Sequence, residues 1–208
     1  GTLNLGALSN LAAQAWLQAQ QRGHQVAYAP LIILASLLML VALLFKVGAV
    51  PFHSWTPDAY DGAPTPVTAF MAACTKAAAF GAILRLLLPP TPTADGRQQM
   101  PGLLWFFSTQ MQTTLIIVAG VTMVVGSVVA IKQNDVKRML AYAAVAHAGF
   151  ILVGVASYQV TAISGVLFYV LVYGLSSIAA FGIVNLVRVR NADGSVGQEA
   201  KDLSQWDG

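Results

Sequence analysis

The stretch VALLFKVGAVPFHSWTPDAYDGAPTPVTAFMAACTKAAAFGAILRL, residues 41–86, decides the fold. It holds two continuous apolar runs joined by one short connection rich in proline and glycine. Each run carries one lysine, Lys46 and Lys76. A helix needs about 20 mostly apolar residues to cross a hydrocarbon layer. The same pattern recurs along the chain, with spans expected at 28–52, 66–88, 111–131, 137–157 and 162–187. A β-barrel would show short alternating segments instead. The fold class expected is an all-α integral membrane protein, a polytopic bundle of five transmembrane helices within a single domain.

Composition agrees. Of 208 residues, 57% are hydrophobic and only 9% charged, and the mean hydropathy is +0.68. Soluble domains carry about 25% charged residues, so this chain cannot cover a water-facing surface. Residues 1–26 are mixed in character and read as a loop or interfacial segment; residues 188–208 read as a polar loop. Gly1 in place of Met suggests an internal stretch of a longer chain. The single cysteine, Cys74, excludes an internal disulfide and a chain-held iron–sulfur cluster. No basic stripe points to nucleic acid, no glycine-rich phosphate motif occurs, and no metal site is expected.

Loop charges set the orientation. The side reached after the first span carries Lys132, Lys137, Arg138, Arg188, Arg190 and Lys201, against Arg22, Arg97 and the helix-end Arg85 on the other. The richer side is expected to be cytoplasmic, making 188–208 a cytoplasmic loop.

All eight carboxylates fall outside the spans, whereas Lys46 and Lys76 fall inside. An ionised side chain at the bilayer centre costs about 2.5–3.5 kcal/mol on insertion scales and usually marks an ion or proton path. Lys46 lies nine residues before Trp55, and Lys76 ten after Pro66, depths of about 13 and 15 Å at 1.5 Å per residue. His147, nine residues past Arg138, comes to about 13 Å. Lysines at that depth are too far from an interface to snorkel easily. A lone helical histidine is as often a hydrogen-bonded packing residue. Amines removed from water exchange protons more readily near neutral pH, and imidazoles do so already. Lys46, Lys76 and His147 are the expected proton-relay residues.

Gly48 and Pro51 come soon after Lys46, and the missing proline donor predicts a break near Val47. Broken membrane helices are tolerated beside cavities or protein. Thr68, Thr75 and Cys74 on the second span, Tyr142 on the fourth, and Tyr169, Tyr173, Ser176 and Ser177 on the fifth are the remaining polar groups. Tyr169, Tyr173 and Ser176 share one face. Such residues serve a water chain less often than plain helix–helix hydrogen bonding. His53 and Asp58 are expected in a loop, as anchors or caps.

The stretch KVGAVPFHSWTPDAYDGAPTPV (46–67) and the later QNDVKRMLAYAAVAHAG (133–149) resemble the antiporter-like membrane subunits of respiratory complex I, and within that family their wording is most like the subunit N branch. The resemblance covers nearly everything from residue 28 onward. It implies a fourteen-helix fold with two inverted five-helix repeats, of which this chain would hold helices seven to eleven. Lys46 then falls on the family's broken-helix lysine, Lys76 on the lysine of the next helix, and His147 on the histidine between half-channels. A glutamate on an earlier helix and a lysine on a later one, both used by the family, lie outside this sequence. The function implied is that of a proton-translocating subunit of NADH:quinone oxidoreductase, part of a multisubunit enzyme whose NAD, FMN, iron–sulfur clusters and quinone sit in partner subunits. No cofactor is expected in this chain. The partners implied are the other membrane-arm subunits and the lipid bilayer. The location implied is a bacterial inner membrane, multi-pass, though an organellar energy-transducing membrane also fits. Two rivals stand beside this reading: a subunit of a multisubunit sodium/proton antiporter, and a non-pumping structural subunit.

Overall fold

The computed structural model describes residues 29–87, 108–190 and 195–206, together with Asn10, Gln14, Trp105 and Asp193. The expected loop or interfacial segment at 1–26 lies outside them, apart from the helical Asn10 and Gln14. The described elements run α1 (Ala29–Val47), α2 (Trp55–Gly62), α3 (Thr65–Leu87), α4 (Ser108–Ile131), α5 (Val136–Ala156) and α6 (Val160–Leu186), then β1 (Arg188–Arg190) and β2 (Val196–Glu199).

Among the described residues, four helices are long and apolar enough to cross a membrane: Thr65–Leu87, Met111–Ile131, Val136–Ala156 and Val160–Leu186. They correspond to the second to fifth expected spans. The first, expected over 28–52, appears as α1, whose apolar described portion, Leu37–Val47, is shorter. The bundle wears the surface expected of a bilayer or of covering helices: Leu38, Phe70, Ile117, Val124, Phe168, Leu171 and Leu175 are all exposed. Lipid makes such exposure inexpensive, so burial is not the force that orders these helices.

What α4 and α5 use instead is close approach. A Cβ at Gly126 would stand 2.5 Å from the Ala146 backbone nitrogen, and one at Gly149 2.8 Å from the Ala119 carbonyl. The two helices therefore pack backbone to backbone, where dispersion is strongest. A main apolar cluster joins Leu40 and Leu44 of α1, Phe80 and Ile83 of α3, Leu115 and Ala119 of α4, and Leu152 of α5.

The break comes where the sequence predicts it, but glycine makes it. Gly48 has φ +76°, and its N–H donates to Phe45 O at 3.1 Å while Ala49 N–H donates to Leu44 O at 2.9 Å. These two bonds form a Schellman stop, the common way a helix ends at a left-handed residue. Helix α1 is thus closed by Gly48, ahead of Pro51, and the proline comes after an end already made. Trp55 Nε1 folds back to donate to Phe45 O at 2.8 Å, and Val50 N–H donates to Thr122 Oγ1 of α4 at 3.0 Å.

The connection expected as a loop contains α2, which puts Asp58 on a helix. Its eight residues do not hold a helix by themselves; its carbonyl end is held from outside. Thr68 Oγ1 donates to Tyr60 O at 2.9 Å. The buried Lys137 donates Nζ to Asp61 O at 3.1 Å and Ala63 O at 2.7 Å. Asp58 pairs with Arg138 at 3.2 Å, which realises its expected anchoring role, and Asp61 with Lys201 at 3.2 Å.

Within the segment expected as a cytoplasmic loop at 188–208, described residues form two strands and a short turn. β1 and β2 pair antiparallel, with Arg188 opposite Glu199. Thr65 Oγ1 donates to Glu199 Oε2 at 2.6 Å, Val136 N–H to Lys201 O at 2.8 Å and Leu203 N–H to Asn134 O at 2.9 Å. Asp202 caps the 3₁₀ turn Leu203–Gln205, and hydrogen bonds from Ser204 hold its carboxyl below the usual carboxylate range. The hairpin therefore ties α3 and the α4–α5 turn together at the end of the bundle where α2 lies.

These contacts can be tested by substitution. In Gly48→Ala, the left-handed backbone costs about 1–2 kcal/mol, and the new Cβ meets Thr56 Oγ1 at 2.6 Å. Thermal unfolding in detergent is expected to show a clear loss, whereas Gly62→Ala, with nothing within 4 Å of its Cβ, stays near wild type. Equal midpoints for the two variants would contradict the Schellman stop. Lys137→Met strips a donor from Asp61 O and from Ala63 O, the second of which keeps a 3.5 Å bond from Thr68 Oγ1; a polar group left buried and unpaired costs about 1–3 kcal/mol. Limited proteolysis is expected to cut faster between α2 and α3 in this variant than in Lys132→Met, a change at an exposed position.

Candidate functional site: a buried lysine and histidine around one tyrosine

Lys76 begins the last stretch of α3. The helix is not regular before it: Thr65–Phe70 is α-helical, Met71–Thr75 is a π turn, and α-helix resumes at Lys76. A π turn inserts one residue and so rotates the rest of the helix relative to a regular one. Within the turn, Thr75 Oγ1 donates to Met71 O. Ala73 in the same turn lies 3.6 Å from where a Cβ on Gly174 of α6 would stand, so α3 and α6 meet closely here.

The Lys76 side chain is 3% exposed. Its ammonium donates to the carbonyl of Ala144, one turn before His147 on α5. It also lies 5.6 Å from the ring centroid of Tyr173 on α6, inside the range of a cation–π contact. The described carboxylates are held at the hairpin end of the bundle or in the hairpin itself, and none pairs with Lys76. Its charge is met by a peptide dipole and an aromatic face.

His147 approaches from the other side of the same ring system. Its imidazole centroid is 5.1 Å from that of Tyr173 and 6.1 Å from that of Tyr169. Its Nδ1 shares a hydrogen bond of 2.8 Å with Tyr169 Oη. Among the described residues Nε2 has no hydrogen-bond partner. A cavity of about 360 Å³ opens between α5 and α6, with His147, Tyr169, Tyr173, Ser176 and Ser177 as its polar lining.

Lys76 and His147 are thus brought together, and Lys46 stands apart. Lys46 is in the last turn of α1 with its side chain exposed, and it has no hydrogen bond or ion pair to a described residue. Its depth by the nine-residue ruler assumes unbroken helix to Trp55; the chain leaves the helix at Val47, so that rise does not apply to it. The tyrosines are visible in the sequence as one polar face. Their place beside His147 is not, because it depends on how α5 and α6 meet. Among the described residues His53 Nδ1 is buried without a hydrogen-bond partner, with its ring 6.4 Å from that of Tyr142.

Residues 1–205 match the family described as NADH:quinone oxidoreductase/Mrp antiporter, TM. The chain is 53% identical over 178 residues to NADH-quinone oxidoreductase subunit N of Beutenbergia cavernae, covering 86% of this chain and 31% of the relative. It is 52% identical over 171 residues to the protein of the same name from Mycobacterium bovis, covering 82% and 29%. The chain therefore spans under a third of the length of these curated relatives. Among solved structures it resembles a chain of respiratory complex I from Thermus thermophilus with bound aureothin, at 34% identity and TM-score 0.60 over 87% of this chain and 39% of that one. It shares a fold with a chain of the Mrp complex from Dietzia sp. at 23% identity and TM-score 0.61, over 84% and 33%. This chain belongs to the membrane-spanning NADH:quinone oxidoreductase/Mrp antiporter family.

Proposed function

We propose that this chain is part of a proton-translocating membrane subunit of an NADH:quinone oxidoreductase, and that Lys46, Lys76 and His147 pass the proton. The observation that carries the reading is Lys76: a lysine 3% exposed within an apolar helix, with a carbonyl rather than a carboxylate as its hydrogen-bond partner. A permanent structural charge would gain from a carboxylate partner, because an unpaired buried ion is costly. A group that must load and unload a proton gains from not having one, since a tight ion pair would fix it in the charged state.

In this reading Lys46 takes up a proton beside the α1 break, Lys76 holds it as an ammonium against Ala144 O, and His147 accepts it next. With Nδ1 engaged by Tyr169, Nε2 is the ring nitrogen left to exchange. Electron transfer from NADH to quinone takes place in other subunits, which hold the NAD, FMN, iron–sulfur and quinone sites. The partners are those membrane-arm subunits and the surrounding lipid, in a bacterial inner membrane. The lysine- and arginine-rich end that carries the hairpin faces the cytoplasm by its charge bias.

The test is proton uptake and NADH oxidation measured in parallel in inverted membrane vesicles, with Lys46→Ala or Lys76→Ala in the full-length subunit. Both activities are expected to fall several-fold while the complex still assembles. Wild-type values in both variants would overturn the reading in favour of a structural subunit. Sodium-dependent proton exchange that persists without NADH would favour an antiporter subunit.

A further inference from the structure

We propose that Tyr173 is a positioning residue of the proton path, and that its ring face, not its hydroxyl, holds the loaded Lys76 beside His147. The inference rests on the proton-path reading and adds a residue to it.

The geometry points to the ring. Tyr173 is 9% exposed and belongs to the buried face of α6, with Val166, Val170, Ser177, Phe181 and Val184. Its centroid lies 5.6 Å from Lys76 Nζ and 5.1 Å from the His147 ring. One ring thus lies beside both groups. The hydroxyl that bonds His147 belongs to Tyr169, so the imidazole already has its oriented partner.

An aromatic face attracts an ammonium through its quadrupole and has no such hold on a neutral amine. Lys76 has one carbonyl acceptor and the ring. While the proton is on the lysine, both hold the head group near His147. Once it leaves, the electrostatic hold of the ring ends and the amine is free to swing back for the next proton. A carboxylate at this place would bind the charged form too firmly to release it; a Leu would bind neither form.

Tuning the ring without changing its shape tests this. Phenylalanine, then its mono-, di- and trifluorinated forms, are placed at position 173 of the full-length subunit, and proton uptake is measured in inverted vesicles of the assembled complex. Tyr173→Phe is expected to keep near-wild-type uptake. Progressive fluorination, which drains the negative face, is expected to lower uptake stepwise by about two- to thirtyfold in all, the span of a cation–π contact. Tyr173→Leu is expected to match the most fluorinated form. A flat fluorination series overturns the proposal, as does a Tyr173→Phe defect equal to that of Tyr173→Leu, which would assign the hydroxyl. Lys76→Ala in the same vesicles separates the two readings. If Lys76→Ala pumps normally, the proton-path reading itself has failed. If it does not pump while the fluorinated series stays flat, only the role of Tyr173 has failed.

Discussion

A lysine ammonium buried among apolar helices has to be met by something, and here that is the carbonyl of Ala144 on α5. A helical carbonyl spends one lone pair on its own ladder and has a second to offer. Using it requires α3 and α5 to run close at one level, and the head group to point between them. The π turn at Met71–Thr75 sets the direction in which Lys76 leaves α3. The contact of Ala73 with Gly174 brings α6, and with it Tyr173, to the same place. Change any of these and the charge loses its solvation, a cost of several kcal/mol for an ion left uncompensated.

The hairpin end of the bundle solves a different problem with the same chemistry. Stopping α1 at Gly48 and restarting at Trp55 leaves helix termini with unpaired backbone groups, which lipid cannot satisfy. Ala49 N–H, Trp55 Nε1, Thr122 Oγ1, Thr68 Oγ1 and Lys137 Nζ satisfy them in turn. Two buried lysines thus meet different surroundings. Lys76 is solvated by one carbonyl and an aromatic face, and the buried Lys137 by two carbonyls at one helix end.

This contrast explains what is legible in the sequence. Spans two to five are plain, because a run of apolar residues this long has no other stable home. The end of α1 is legible for a partly mistaken reason: Pro51 draws attention, while Gly48 forms the stop through a backbone conformation that residue identity alone suggests weakly. Helix α2 is invisible because WTPDAYDG carries turn residues, and its stability comes from Lys137 and Thr68, outside its own sequence. The β1–β2 hairpin is invisible for a similar reason. RVR and VGQE have little alternation, and their pairing depends on docking against Thr65 and Val136.

The candidate site divides along the same line. Lys76 stands out because a charge in an apolar helix is costly wherever the helix packs, so its importance needs no tertiary knowledge. Tyr173 does not stand out, because a tyrosine in a membrane helix is inexpensive and common, and only its neighbours give it a role. Sequence therefore reveals the groups that are costly to bury and conceals the groups that make the burial bearable. In a proton path the second kind matters as much as the first. A buried amine with no attractive neighbour would stay neutral and carry nothing, and one facing a carboxylate would stay charged and carry nothing either. A peptide dipole and an aromatic face together lie between those limits.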